Sequence, residues 1–427
     1  MSEVIATNET IMVVGGGISG LTAALEAAEC GKKVLLVEKA PTVGGRVGQL
    51  YKYFPKLCFP TCGLEIQYRR LKANKNVRLL TMAEVTGISG ETGNYTVNIK
   101  QAPRYVNENC TACGACGEAV EAEFDDEHNY GMKKRKGAYL AHTMAYPQRF
   151  VLDPRIIGTA DADKAREACK YDAVDLDMSE QELSVNVGAV IWASGWKPYD
   201  AAKIQPYGYD RYDNVVSNVE FERMLDPFGP TGGKIVRPSD GQAPKNIAFI
   251  QCAGSRDKNH LKHCSRICCM ASLKQTTYVA EQLGDAAKST IYYIDIRAID
   301  RIDDFHQKVK ADPNVSFVKS KVANIVGAEN GNVILNGVDT EGYNRYANEH
   351  DLVVLATGME STVPAGVFPE GVVINEHGFI DADACNGGIF GAGCSSDALD
   401  VNRAAQNATA AALRAIQVVN QVAGTEG

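Results

Sequence analysis

Residues 11–20 read Ile-Met-Val-Val-Gly-Gly-Gly-Ile-Ser-Gly, four apolar residues running into a glycine-rich turn. An Ala- and Leu-rich stretch follows as far as Gly31, a good helix stop. Lys33–Glu38 is then a second apolar run that ends in an acid. Strand, Gly15-x-Gly17-x-x-Gly20, helix, strand and acid make up the βαβ unit that binds dinucleotides. The glycines allow a tight turn and a close approach of the pyrophosphate to the helix N-terminus, while Glu38 is placed to bond ribose hydroxyls.

Working outward from that unit, the next signal is cysteine. Cys110, Cys113 and Cys116 form C-x-x-C-x-x-C, and Cys169 stands alone downstream. In a two-cluster bacterial ferredoxin each motif reads C-x₂-C-x₂-C-x₃-C, and its last cysteine ligates the other cluster. By that rule one complete ligand set survives, Cys110, Cys113, Cys116 and Cys169. The other set would fall at Val120, Thr159, Ala162 and Ala165, none of which binds iron. A ferredoxin-like insert holding one [4Fe–4S] cluster is expected, so the protein moves single electrons.

The chain has 427 residues, enough for two or three domains. A net charge of −8 without a long basic block argues against nucleic acid as a partner. Thirteen cysteines in a chain this long do not make a small secreted disulfide scaffold. The N-terminal MSEVIATNET is polar, and no apolar run approaches a membrane span, so a cytoplasmic protein without leader or anchor is expected. No Ser/His/Asp or metal-hydrolase constellation is visible, and no catalytic acid–base residue is assigned.

Strands are expected in 77–101, at Val187–Ser194, Asn246–Gln251, Thr290–Ile296, 315–326, 332–336 and Asp351–Ala356. Helices are expected near 266–283 and at the C-terminus. The domain division that follows is an FAD-binding Rossmann part (1–102), a ferredoxin-like insert (103–178), a continuation and connector (179–244), a second nucleotide-binding-like unit (245–355) and a closing FAD part (356–427).

Several features resemble α/β flavoproteins with two dinucleotide-binding domains, of the thioredoxin- or glutathione-reductase type. These are the fingerprint, Gly44-Gly45-Arg46, the strand-ending turns Ala193–Gly195 and Ala356–Gly358, and Gly391-Ala392-Gly393 before the last helix. That resemblance implies FAD against Gly15, Gly17, Ile18, Ser19, Gly20, Glu38, Lys39, Gly45, Arg46, Gln49, Val85, Ala193, Ser194, Gly195, Gly358, Gly393, Cys394, Val401 and Asn402. The helix N-terminus near Val401 would face the flavin pyrimidine and favour its anionic reduced form. Cys394 stands where such proteins usually carry Asp. In the second unit the strand NIAFIQ is followed by Cys252-Ala253-Gly254-Ser255-Arg256-Asp257 rather than G-x-G-x-x-G, so no NAD(P)H is expected there. Cys252, Cys264, Cys268 and Cys269 instead offer a second [4Fe–4S] ligand set. A vicinal Cys268–Cys269 disulfide or simply buried cysteines are the alternatives.

Three stretches, VVGGGISGLTAALEAAECGKKVLLVEKAPTVGG, PRYVNENCTACGAC and CAGSRDKNHLKHCSRICCM, resemble the heterodisulfide reductase A-type flavoprotein family. The chain is expected to lack that family's additional N-terminal domain and its two-cluster C-terminal tail. In this it is similar to the flavoprotein subunits of quinone-interacting membrane-bound oxidoreductase (Qmo) complexes. The resemblance implies an FAD protein in a cytoplasmic arm at the inner membrane, beside a membrane haem subunit plus a second flavin/iron–sulfur subunit. Electrons would pass between the menaquinone pool and adenylylsulfate reductase. Different outcomes are an electron-bifurcating subunit of the heterodisulfide reductase A type, a scaffold that keeps FAD structurally, and an NAD(P)H-dependent disulfide reductase using Cys58 and Cys62. Cys30 is expected in the core, Cys385 and Cys394 as structural cysteines, and His260 and His263 as loop histidines. Lys133-Lys134-Arg135-Lys136 reads as a solvated face or a docking patch for an acidic partner.

Overall fold

The computed structural model describes residues 5–54, 56–298, 302–381 and 387–425. Its first sheet is built outward from the strand that leads into the glycine turn. Thr10–Val14, buried at every position, lies between Ala189–Trp192 and Lys33–Glu38. Ile389–Gly391 and Val77–Thr81 form the parallel edges. A strand covered on both faces must be apolar throughout, which is why IMVV shows no alternation. One face is covered by the helices Ile18–Glu29 and Val401–Thr425. Ala23, Ala27, Ala408, Ala411 and Ala415 are buried in that core, and such small side chains let two helices approach closely. The other face meets the antiparallel sheet Ala83–Glu91, Asn94–Gln101 and Gln181–Val187. Asn94–Gln101 alternates strictly, with Tyr95, Val97 and Ile99 turned inward.

A second unit repeats the plan. Val215–Ser217, Leu352–Thr357, Asn246–Ala253, Lys288–Tyr293 and Val315–Lys319 form a parallel sheet in that order. An antiparallel sheet, Asn324–Gly327, Val333–Asp339 and Asn344–His350, accompanies it. Val215–Ser217, inside the stretch read as connector, is thus an edge of this sheet. Ser217 and Glu220 close a capping box that starts the helix Asn218–Met224. The turns at Ala193–Gly195 and Thr357–Gly358 both run into one antiparallel pair, Trp196–Pro198 with Met359–Ser361, which joins the units.

The insert has its own core, including Val106, Val120, Ala138, Leu152, Ile156 and Ala165. A bridge between Val106 and Val174 brings its two ends together. Three of the four missing ligand positions, Val120, Ala162 and Ala165, are buried at 1 %, 1 % and 0 % exposure. At the fourth, Thr159 donates its hydroxyl to the Ile156 carbonyl. Packed side chains thus occupy three of these four positions.

Pro60–Ala73 is a helix that the sequence reading passes over, with Pro60, Leu64, Tyr68 and Leu71 buried along one stripe. Cys30 is exposed at the C-cap of the first helix rather than in the core, because the apolar stripe has ended by then. Cys385 lies outside the described residues.

Candidate functional site

The turn after the first strand opens onto a cavity of ≈ 1530 Å³ where the two units and the insert meet. Gly15 takes φ +103°, and a Cβ there would lie 2.3 Å from the Ala193 carbonyl oxygen, so only glycine fits. Glu38 accepts from the Gly16 and Ala40 N–H groups. Burial pushes its carboxyl up, and the backbone N–H bonds counter only part of that.

Gly15, Gly17, Ile18, Ser19, Glu38, Lys39, Gly45, Arg46, Gln49, Val85, Ala193, Ser194, Gly195, Cys394, Val401 and Asn402 all line this cavity. Three glycines expected beside the cofactor do not. Gly20 lies beneath the turn, where a Cβ would meet the Gly15 carbonyl oxygen at 1.7 Å. Gly358 packs against Ser255 and Ser265 of the second unit, and Gly393 against Ser19. Their role in the fold is close approach of backbone. Gly393 is fixed by donating to Asn407 Oδ1 at 2.7 Å, which ties the terminal turn to the long helix. Cys394 donates to the Leu399 carbonyl, and burial pushes its thiol up to about 11, so it stands there as a neutral thiol.

Two walls carry residues that no motif marks. From the second unit come Asn218, Glu222, Ile267, Met270, Lys274 and Gln275. Glu222 and Lys274 form a buried ion pair at 3.0 Å, 3 % and 5 % exposed. The carboxylate also accepts from Gln275 Nε2 and the Tyr51 N–H, and the ammonium donates to the Lys52 carbonyl. Such bonds are what make a buried pair tolerable. From the insert come Asp126, Glu127, His128, Arg135, Tyr139 and His142. Arg46 donates to the Tyr130 hydroxyl at 2.9 Å, and the buried Arg223 to Asn129 Oδ1 and the Gln49 carbonyl, keying the insert onto the glycine loop.

Cys110, Cys113, Cys116 and Cys169 converge on one small surface cavity beside Tyr171 and Phe150. Cys113 is exposed and only Cys116 is buried. The Ala112 and Ala173 N–H groups donate to Cys110 and Cys169, each at 3.4 Å. Burial and then the neighbouring sulfurs push the Cys116 thiol up to about 11.

The second set forms where Asn246–Ala253 ends and Cys268–Leu283 begins. Cys252 adopts φ +56° at a bulge in the strand, and Cys268 and Cys269 open the helix. Cys252, Cys268 and Cys269 are buried. The neighbouring Cys252 and Cys268 thiols move in opposite directions, Cys252 down and Cys268 up, each chiefly through the other. Burial pushes Cys269 up to about 11. The adjacent sulfurs of Cys268 and Cys269 turn to different partners, the carbonyls of Thr357 and Asp295, and neither cysteine is in a disulfide.

Among the described residues no three His, Cys, Asp or Glu side chains meet tightly enough for a single metal ion. A four-iron cluster asks for something looser, one thiolate per iron. Four cysteines brought together can offer one sulfur to each iron, and a cationic metal core is what makes several adjacent thiolates stable. Both sets could hold such a cluster.

Cys58 and Cys62 are free and do not line the cavity. His260 bonds the Tyr199 hydroxyl and His263 the Met359 carbonyl, so both have protein partners. In the basic run, Lys134 pairs with Asp125, Arg135 with Glu127 and Asp153, and Lys136 with Glu123, so the strand is neutralised by its own insert.

Fold, turn and cavity define a flavoprotein oxidoreductase with two dinucleotide-binding-type units, and residues 10–54 match the FAD dependent oxidoreductase family. Solved structures with the same fold include thioredoxin reductase from Lactococcus lactis, with a TM-score of 0.53 and 13 % identity over 97 % of this chain and 99 % of that one. Thioredoxin reductase from T. acidophilum gives 0.52 and 14 % over 96 % and 98 %. At that identity only the fold is shared. By sequence the chain is similar to heterodisulfide reductase A-type flavoproteins. It is 36 % identical over 418 residues to the second A-type iron-sulfur subunit of CoB–CoM heterodisulfide reductase from Methanopyrus kandleri, covering 95 % of this chain and 63 % of the relative. To the A-type component of the H2:CoB-CoM heterodisulfide,ferredoxin reductase of Methanothermobacter marburgensis it is 32 % identical, covering 96 % and 64 %. The chain thus spans a little under two thirds of these two relatives' length.

Proposed function

We propose that this chain is the FAD and iron–sulfur electron-transfer subunit of a multi-subunit oxidoreductase. FAD lies in the large cavity, and the 110/113/116/169 and 252/264/268/269 sets each hold a [4Fe–4S] cluster. One observation carries the reading. The helix that begins with Cys268 and Cys269 turns Met270, Lys274 and Gln275 to the flavin cavity, so a cysteine set replaces the glycine turn a nicotinamide would need. Bound FAD supplies electron-pair chemistry, and the clusters supply single-electron steps. The chain's own part is to hold these groups in place, with the surface set as the port to a partner.

Within the family, the Qmo-like reading gives the partners as a membrane haem subunit plus a second flavin/iron–sulfur subunit. Electrons then pass between the menaquinone pool and adenylylsulfate reductase. Among the described residues no helix is long and apolar enough to cross a membrane, so any membrane span belongs to another subunit or lies outside them. A second reading, the heterodisulfide reductase type, is favoured by the relatives' names, which carry a heterodisulfide and ferredoxin.

Iron and acid-labile sulfide per FAD, measured on anaerobically purified protein, test the cofactor assignment: about eight iron per flavin supports two clusters. Fast bleaching of the flavin by NADH or NADPH would sink the reading of a subunit that exchanges electrons only through its clusters, in favour of an NAD(P)H-dependent disulfide reductase. Reoxidation of the reduced complex by adenylylsulfate reductase separates the two partner readings, and a rate unchanged by that enzyme removes the Qmo-like one.

A further inference from the structure

The insert does more than carry cysteines, because two of its histidines face the flavin cavity. His128 and His142 both line it, stacked on one another with ring centroids 4.7 Å apart and planes inclined at 22°. Among the described residues, His260, His263 and His350 each bond a protein group through the ring. Among the described residues no hydrogen bond reaches the ring nitrogens of His128 or His142, so their donors and acceptors are left to whatever fills the cavity.

Their position identifies the part of the ligand they meet. Gln49 Nε2 donates to the His128 carbonyl at 3.1 Å. Thr42 and Val43 bond Tyr146 of the second histidine segment, in both directions. Both histidine segments therefore pack on residues 42–49, beside the Gly44-Gly45-Arg46 turn. Burial, and then the Arg223 guanidinium, holds the imidazoles neutral, His142 down at about 4 and His128 lower still. Arg223 itself is committed to Asp226, Asn129 and the Gln49 carbonyl. A neutral imidazole presents one N–H and one lone pair. Such a pair suits an uncharged ligand with alternating donors and acceptors, as the flavin ring and ribityl chain are. A phosphate, which only accepts, would use the N–H and leave the lone pair without a donor.

We propose that His128 and His142, supplied by the iron–sulfur insert, are FAD-contacting residues that hydrogen-bond the flavin–ribityl portion of the cofactor. This rests on FAD occupying the cavity. Diethyl pyrocarbonate footprinting, read by mass spectrometry on the unaltered protein with FAD bound and after FAD depletion, tests it. His128 and His142 should be protected at least tenfold by FAD, while His306 reacts equally in both states. Equal modification of the pair with and without FAD overturns the proposal. Failure of the unaltered protein to bind FAD would instead overturn the cofactor reading. As a second measurement, His128→Phe/His142→Phe keeps the stacked planes and removes the nitrogens. It should weaken FAD binding at least tenfold and shift the visible flavin band, with iron and sulfide per chain unchanged. His128→Asn/His142→Asn, which restores neutral donors and acceptors, should recover most of the affinity. A Phe pair that binds FAD normally with an unshifted band also overturns the proposal.

Discussion

The two cysteine sets have similar backbone support and opposite settings. In each, two main-chain N–H groups donate to sulfur at 3.4 Å, from Ala112 and Ala173 in one and from Arg266 and Arg297 in the other. The first set lies at the surface, with Cys113 exposed. The second is enclosed between a central strand and a helix that also walls the flavin cavity. Hydrogen bonds to sulfur, net charge and solvent exposure tune a cluster's potential. Backbone bonding is matched here, so exposure and side-chain charge separate the sets. Position separates them as well: the helix that Cys268 and Cys269 open sends Met270, Lys274 and Gln275 to the large cavity, whereas Cys113 is exposed.

The sharpest way to break that comparison is a serine at one ligand of each set. Cys268→Ser should lower iron per flavin from about eight to about four and also cost thermal stability in the second unit, since its helix start is packed around the site. Cys113→Ser should cut electron exchange with partners while leaving FAD bound and the melting midpoint nearly unchanged. Equal losses of melting midpoint in the two variants would undo the contrast between buried and exposed sites.

A smaller effect should appear with acid. Burial lowers His350 from 6.5 to about 4. A histidine held below its unfolded value stabilises fully above pH 6.5 and loses that contribution as pH falls toward 4. This is worth up to about 3 kcal/mol. Hydrogen-exchange protection factors in Asn246–Ala253, corrected for the intrinsic pH dependence of exchange, should therefore fall between pH 6.5 and 4. His350→Gln should flatten that response, and a response that persists in the variant would assign it to another group.

Smaller again, Val120→Ala should cost the insert about 1–3 kcal/mol by leaving a cavity where the missing cluster's ligand would stand. Thermal melting of the insert checks this, and a neutral result would mean that the lost cluster's place is not tightly packed. Least of all, Lys134→Ala should leave docking and stability unchanged, because that lysine already faces Asp125 on an exposed strand. A clear fall in partner affinity would restore the basic run as a docking patch.

Sequence reasoning found the glycine turn, the acid at position 38 and the cysteine sets, because each depends on local spacing. It passed over the helix Pro60–Ala73, where Cys58 and Cys62 are the more conspicuous signal, and the strand Asn344–His350. Most of that strand's side chains are polar and solvent-facing, leaving little alternation to read. Lys274, Glu222, His128 and His142 escaped it altogether. A histidine in a polar insert and a lysine in a helix carry no motif, and they become site residues only when distant segments close on the same cavity.

By itself, the sequence determined the dinucleotide turn, the loss of the second unit's glycines and the two thiol sets, each a matter of residue type at short range. Only the tertiary structure decided that flavin cavity, insert and second unit share one wall. It also decided which cysteine set is enclosed and which is open. Burial and convergence arise from chain segments far apart in sequence, and packing against them, rather than local pattern, decides which side chains lose water and which keep it.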